Sequence, residues 1–138
     1  MRSIYYTLQR LRDQEKKERQ RQFAEAEELR RSREEQLQEL QETLKKERGM
    51  KPTTAGKMTL HDRLLVHRFF EVLHSEESLT EQEEKVEICQ EELRYAQQQS
   101  RIMEEVISSI EEKEALERKR KMDKLSDEIG TMAWWRRK

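Results

Sequence analysis

His67, Glu71 and His74 come closest, by type and spacing, to a set of metal ligands. Residues three and four apart share one face of a helix, and Glu71-x-x-His74 matches half of the motif found in di-iron carboxylate proteins. Such a site needs a second Glu-x-x-His and two further glutamates, and the chain has no second copy of the motif. We therefore predict no metal and no cofactor.

Two other features resemble catalytic motifs. Cys89 is the only cysteine, and a reactive thiolate needs a base and electropositive surroundings, whereas this part of the chain is acidic. Gly49 and Gly56-Lys57 resemble a phosphate loop, which has four residues between its glycines and Ser or Thr after the lysine. Here six residues intervene and Met58 follows. We predict that the protein is not an enzyme.

The composition predicts long helices with a narrow buried seam. Charged residues make up 43% of the 138 residues and hydrophobic residues 33%, too few for a multilayered core. A two-helix seam needs only about two apolar residues in seven. One proline and three glycines in the whole chain favour uninterrupted helices.

The charge distribution is strongly asymmetric although the net charge is −1. Residues 71–117 carry four Lys/Arg against fifteen Asp/Glu, whereas residues 118–138 carry eight against three. The basic C-terminal end indicates either an acidic partner or a solvated helix end. The acidic middle and a pI near 6.4 argue against nucleic acid as a partner.

The breakers Gly49, Pro52 and Gly56 divide the chain into two predicted helices. We expect one coiled-coil unit over 1–138, with helix one over about 3–48, a loop over 49–58 and helix two over about 59–135. Ser78 and Thr80 offer fresh caps, so a break near 75–80 is an alternative to one continuous helix. The fold class is therefore all-α, a long antiparallel two-helix coiled-coil hairpin.

Apolar residues at steps of three and four mark the predicted seam. On helix one they are Ile4, Leu8, Leu11, Phe23, Ala26, Leu29, Leu37, Leu40 and Leu44. On helix two they are Leu65, Phe69, Val72, Leu73, Leu79, Val86, Leu93, Ala96, Met103, Val106, Ile107, Ile110, Met122, Leu125, Ile129 and Met132.

Two antiparallel registers are compatible with this pattern. In the first, which we favour, facing residue numbers add up to about 134, so the polar stretches 12–22 and 111–121 oppose each other. It requires residues 60–77 to form a short extra helix near the loop end. In the second, the sum is near 108 and roughly 30 C-terminal residues stay unpaired, about 45 Å of helix.

The first register gathers both ends of the chain at one tip. Tyr5, Tyr6, Trp134 and Trp135 would meet there, followed by the cations Arg136 and Arg137. Since Trp and Arg are favoured at binding hot spots, this tip either binds a partner or completes its own packing. The stretch LVHRFFEVL, residues 65–73, carries apolar side chains on most of its faces. Part of it therefore either binds a partner or packs over the loop end as the short extra helix.

No signal peptide and no apolar run of roughly 20 residues is present, so we expect a cytoplasmic protein without direct membrane insertion.

Four segments, in order and spacing, resemble the FliJ family of flagellar type III export proteins. They are the start Tyr6-x-Leu8-x-x-Leu11-Arg12, EEQLQEL at 34–40, HRFFEVL at 67–73 and KRKMDKLSDEI at 119–129. The resemblance covers the whole chain and extends, less specifically, to the YscO-type injectisome proteins.

The resemblance implies a stalk-like antiparallel coiled coil that enters a FliI-like export ATPase hexamer, binds an FlhA-like export gate and escorts export chaperones. It places the protein in the cytoplasm, peripheral to the inner face of the cell membrane. The gate-binding positions of the family correspond to Gln36, Leu40, Phe69 and Leu73. The family's ATPase contact lies at the terminal tip, which fits the tip of Tyr5, Tyr6, Trp134, Trp135, Arg136 and Arg137 described above, although the tryptophan pair is not a signature of the family. Thr43 and Glu47 replace two aromatic positions found in some relatives.

Two alternatives remain at this point. The chain could be the equivalent stalk of a virulence-type injectisome. It could also be a generic coiled-coil scaffold or adaptor with no ATPase partner.

Overall fold

The structure, a computed structural model, describes residues 2–137. It contains two helices, α1 (Arg2–Arg48) and α2 (Ala55–Arg137), and no strand within that range. The helices run antiparallel, which confirms the prediction of an all-α helical hairpin. Helix α2 is continuous, so the short extra helix expected near the loop end is not formed.

The connection between the helices is short and capped on both sides. At the end of α1, the Gly49 N–H donates to the carbonyls of Lys45 and Lys46, both at 3.2 Å. At the start of α2, the hydroxyl of Thr54 accepts a hydrogen bond from the Lys57 N–H at 3.2 Å. Thr54 is thus the N-cap that satisfies a first-turn donor, and it begins α2 four residues before the predicted start at 59.

The predicted caps Ser78 and Thr80 lie inside α2 and cap nothing, and Thr59, at the predicted start of helix two, also lies inside it. The hydroxyl of Thr59 donates to the Ala55 carbonyl at 3.2 Å, and that of Thr80 to the Glu76 carbonyl at 3.0 Å. A Ser or Thr hydroxyl that donates to the carbonyl four residues earlier is typical of the interior of a helix, and a cap would instead accept from a backbone N–H. The segment 75–80 therefore contains no break.

Contacts divide the hairpin into two compact units. The loop-end unit is formed by residues 16–96, and the terminal unit joins residues 2–15 with residues 97–137.

In the loop-end unit, the least exposed side chains recur every three and four residues and form a seam. The buried apolar members are Leu44, Val72, Val86 and Ala96, and Gln82 is buried among them. Hydrogen bonds from side chains cross between the helices from the loop to the far end of the unit. They join Arg68 to Glu47 (3.2 Å), Arg33 to the Ser78 carbonyl (2.9 Å), Gln82 to the Ala26 carbonyl (3.0 Å) and Arg19 to Glu92 (2.8 Å).

In the terminal unit, Ile107 is buried and two polar pairs connect the helices. The Ser100 hydroxyl, only 2% exposed, donates to an Asp13 carboxylate oxygen at 2.7 Å, and the Tyr6 hydroxyl donates to the Glu111 carboxylate. The pairing of α1 with α2 in this unit therefore places Tyr6 beside Glu111.

The favoured register was wrong. Facing residue numbers add up to between 108 (Ala26 with Gln82) and 117 (Tyr6 with Glu111), close to the second register and not to 134. Two physical causes explain the error. A short capped connection fixes which residues face each other, and Arg or Lys can line a seam while keeping the charged head in water. The polar stretch of α1 therefore needs no polar stretch opposite it.

Within residues 2–137, neither helix has a stretch long and apolar enough to cross a membrane.

Candidate interaction surfaces

An apolar surface covers one side of α2 close to the loop. Its side chains are all more than a third exposed: Met58, Val66, Phe69, Phe70 and Leu73. The rings of Phe69 and Phe70 meet edge to face, with centroids 6.3 Å apart. We call these five residues the loop-end surface. It belongs to a continuous helix and leaves large apolar side chains available to a partner.

The four predicted gate-binding residues are not brought together. Gln36 and Leu40 line a shallow groove with Glu71, His74 and Ser75 of α2. Phe69 and Leu73 lie two residues on either side of Glu71, so they point about 200° away around α2. The predicted set is therefore divided between two flanks of the hairpin, with Phe69 and Leu73 on the loop-end surface.

Arg68 occupies the seam between these two flanks. Its guanidinium contacts Glu47 of α1 at 3.2 Å and Glu71 at 3.2 Å. The hydrogen bonds to Glu71 and then Glu47 raise the pKa of Arg68 above its ordinary value. Glu47 thus connects α1 to α2. One turn earlier on α1, Thr43 donates its hydroxyl to the Glu39 carbonyl at 2.9 Å.

The predicted terminal tip is also not assembled. Tyr5 and Tyr6 pack beside Ile107, Ile110 and Glu111. Trp134 lies 23 residues beyond Glu111 on α2, about 35 Å along the helix axis. The expectation that tyrosines and tryptophans gather at one tip is therefore wrong, and its cause is the register.

Residues 115–137 form a helical extension with every side chain exposed. It continues α2 beyond the point where Tyr6 of α1 contacts Glu111. Near its end the indole rings of Trp134 and Trp135 meet edge to face, with centroids 5.3 Å apart. Arg136 and Arg137 line a shallow depression together with Ile129, Met132 and Ala133. We call residues 115–137 the C-terminal extension.

The start of α1 carries an apolar line that sequence reasoning placed in the seam. Ile4, Leu8 and Leu11 are 61%, 37% and 55% exposed. The side chains that are half-buried against α2 are instead those of Tyr5, which follows Ile4, and Arg12, which follows Leu11. Hydropathy pointed to the wrong face because Arg12 reaches the seam with its aliphatic stem.

The residues first considered for metal chemistry form an exposed pair instead. His67 Nε2 lies 2.7 Å from Glu71 Oε1, one helical turn away, and the His67 side chain is 68% exposed. Among the described residues there is no group of three or more His, Cys, Asp and Glu side chains that could hold a metal ion. Cys89 is half-buried along α2.

The chain matches no protein-family model, no curated protein and no solved structure. The likeness to the FliJ family consequently remains a resemblance of four sequence segments.

Proposed function

We propose that the protein is a non-enzymatic stalk of a flagellar type III export apparatus, acting in the cytoplasm at the inner face of the cell membrane. The observation that supports this best is the C-terminal extension, a fully exposed helix that ends in Trp134, Trp135, Arg136 and Arg137. A single helix is slender enough to enter the pore of an ATPase ring, and its end presents the side chains favoured at interface hot spots.

The mechanism is mechanical and allosteric. The extension is the continuation of a packed helix, so a ring that binds it does not bear the cost of helix nucleation. A rod can shift the conformations of ring subunits only by contacting each state differently. The charge pattern of the extension provides such differences. It carries cations at 118–121 and at Arg136 and Arg137, with the acidic residues Asp123, Asp127 and Glu128 between them.

The loop-end unit binds the export gate in this proposal. Phe69 and Leu73 supply apolar contact area on the loop-end surface, and they are 45% and 37% exposed. Gln36 and Leu40 lie on the other flank, so a gate protein that uses all four residues has to hold the hairpin from both sides. Export chaperones are the third class of partner.

Turnover of a FliI-like ATPase, measured with and without the full chain, tests the proposal. We expect stimulation that is lost in Trp134→Ala/Trp135→Ala and kept in Tyr95→Ala, an exposed aromatic of the loop-end unit. If the unmodified chain does not stimulate the ATPase, two alternative functions remain. One is the injectisome stalk, which is tested on the corresponding ATPase, and the other is the coiled-coil scaffold. Equal losses in both variants would contradict docking through the tryptophans.

A further inference from the structure

Two apolar lines in the terminal unit have the spacing of a coiled-coil seam but no helix packed on them. The first, the α1 stripe, consists of Ile4, Leu8 and Leu11, with steps of four and three. The second, the extension stripe, consists of Met122, Leu125, Ile129 and Met132, which are 67%, 55%, 60% and 64% exposed. Steps of only three and four give a narrow line that fits a partner helix better than the wider face of a membrane-bound helix.

The chain cannot cover either stripe with the other. Tyr6 is held beside Glu111, whereas Leu125 lies 14 residues further along α2, about 21 Å away. Each residue of the α1 stripe also precedes a residue of the seam, about 100° around the helix. The α1 stripe therefore points away from the groove that α2 fills.

The two stripes are complementary when they run antiparallel. Ile4 then faces Ile129, Leu8 faces Leu125 and Leu11 faces Met122, and in every pair the numbers add up to 133. All three layers are apolar, and the step of four in one stripe opposes the step of four in the other. Antiparallel coiled coils pack by such matched layers.

The next layer of the same register is charged and complementary. One turn beyond Leu11, the α1 stripe reaches Glu15. One turn before Met122, the extension stripe reaches Arg118. The numbers of Glu15 and Arg118 also add up to 133, so these two residues face each other in the same register. The Glu15 side chain is 42% exposed, with Arg12 at 3.4 Å as its neighbour. The acidic end of one stripe thus meets the basic start of the other.

We propose that the partner of each stripe is a second copy of this chain, with the extension stripe of one copy packed antiparallel on the α1 stripe of the next. The two surfaces differ, so the contact is heterologous and leaves one free stripe at each end of the pair. If the two free stripes can meet, they close the pair into a two-fold dimer; otherwise further copies add head to tail, into a ring or an open chain. Self-association also covers the C-terminal extension, so it competes with any other partner of that segment.

Disulfide trapping tests the contact directly. Two preparations, Cys89→Ser/Leu8→Cys and Cys89→Ser/Leu125→Cys, are mixed and oxidised, and the expected product is a covalent dimer of one chain of each kind. A disulfide requires Cα atoms within about 7 Å. Lys124→Cys in place of Leu125→Cys is the matched control, because it lies about 100° around the helix. Equal yields from both mixtures, or no dimer from either, would overturn the proposal.

Charge reversal tests the register in the unmodified backbone. In sedimentation velocity over a concentration series, Glu15→Arg and Arg118→Glu should each weaken self-association at least about tenfold. The double variant should restore it, because the pair is re-formed with reversed charges. Circular dichroism controls for folding, which matters most for Glu15 because it is half-buried, whereas Arg118 is exposed.

Three results contradict the proposal: a monomer at every concentration, a double variant weaker than either single variant, or a Leu125→Glu variant that associates as strongly as the unmodified chain. Co-sedimentation of a monomeric chain with phosphatidylcholine–phosphatidylglycerol vesicles, lost in Leu125→Glu, would identify an anionic lipid surface as the occupant instead. None of these outcomes depends on ATPase stimulation, so the stalk proposal stands or falls separately.

Discussion

Replacement of Gln82 by leucine should stabilise the hairpin. Gln82 is 2% exposed, and its Nε2 donates to the Ala26 carbonyl at 3.0 Å, while its Oε1 has no hydrogen-bond partner. An unsatisfied buried acceptor costs about 1–3 kcal/mol, and the hydrogen bond contributes about 0.5–1.5 kcal/mol. Burying a leucine side chain contributes about 1.5–3 kcal/mol. Taken together, these contributions give an expected net gain of about 3 kcal/mol in the free energy of unfolding for Gln82→Leu.

Urea unfolding followed by circular dichroism at 222 nm measures this difference. Gln82→Glu is the matched control, since it keeps the shape of the side chain but buries a carboxylate, and it should lower the midpoint. If Gln82→Leu lowers the midpoint as well, then the unpaired Oε1 atom of Gln82 does not destabilise the folded chain. The role of Gln82 would then be to fix the register, as single polar residues do in other coiled coils.

Three further predictions concern packing, ionisation and binding. Leu44→Ala removes a side chain that is 8% exposed and should lower the free energy of unfolding by about 2 kcal/mol, measured by urea unfolding. Arg21→Gln should raise the pKa of Glu18, seen in an NMR titration, because the Arg21 hydrogen bond is what lowers that pKa most. The hydrogen bond between Arg21 and Glu18 therefore contributes to stability above the pKa that Glu18 has in the unfolded chain. This contribution is lost as the pH falls through the lower pKa that Glu18 has in the folded chain. Phe69→Ala/Leu73→Ala should weaken binding to an FlhA-like gate protein in calorimetry and leave the free energy of unfolding within about 1 kcal/mol of that of the unmodified chain.

The controls for these predictions lie on the same helices. Leu29→Ala removes a leucine that is 45% exposed and should cost less than Leu44→Ala. Arg31→Gln is the matched substitution for Arg21→Gln, and it should leave the Glu18 titration unchanged. If Gln36→Ala weakens gate binding as much as Phe69→Ala/Leu73→Ala, then the groove flank contributes as much as the loop-end surface.

The sequence was sufficient to predict two long helices, because breakers are confined to one segment and apolar residues recur at steps of three and four. It also identified the buried positions Val72, Val86, Ala96 and Ile107. On α1 the same reasoning failed at Ile4, Leu8 and Leu11, because the seam there is lined by side chains with polar ends. Hydropathy alone cannot distinguish an arginine that lies along a seam from one that extends into water.

The register could not be predicted from apolar spacing, since every shift by seven residues gives nearly the same layers. The cap at Thr54 and the short connection fix it, and those are local features that the sequence also contains. The buried polar residues Gln82 and Ser100 were missed as well. They occupy the steps of three and four between Leu79 and Val86 and between Ala96 and Met103, so the continuity of the repeat was the signal that could have found them.

Photo-crosslinking from the C-terminal extension into the ATPase ring tests the central claim most directly. A benzophenone attached at Trp135→Cys, in a Cys89→Ser background, should crosslink to subunits of the assembled FliI-like ring. The same group at Phe70→Cys, on the loop-end surface, should not. Crosslinks from position 70 with none from position 135 would mean that the loop-end surface, and not the C-terminal extension, meets the ring, and would contradict the account.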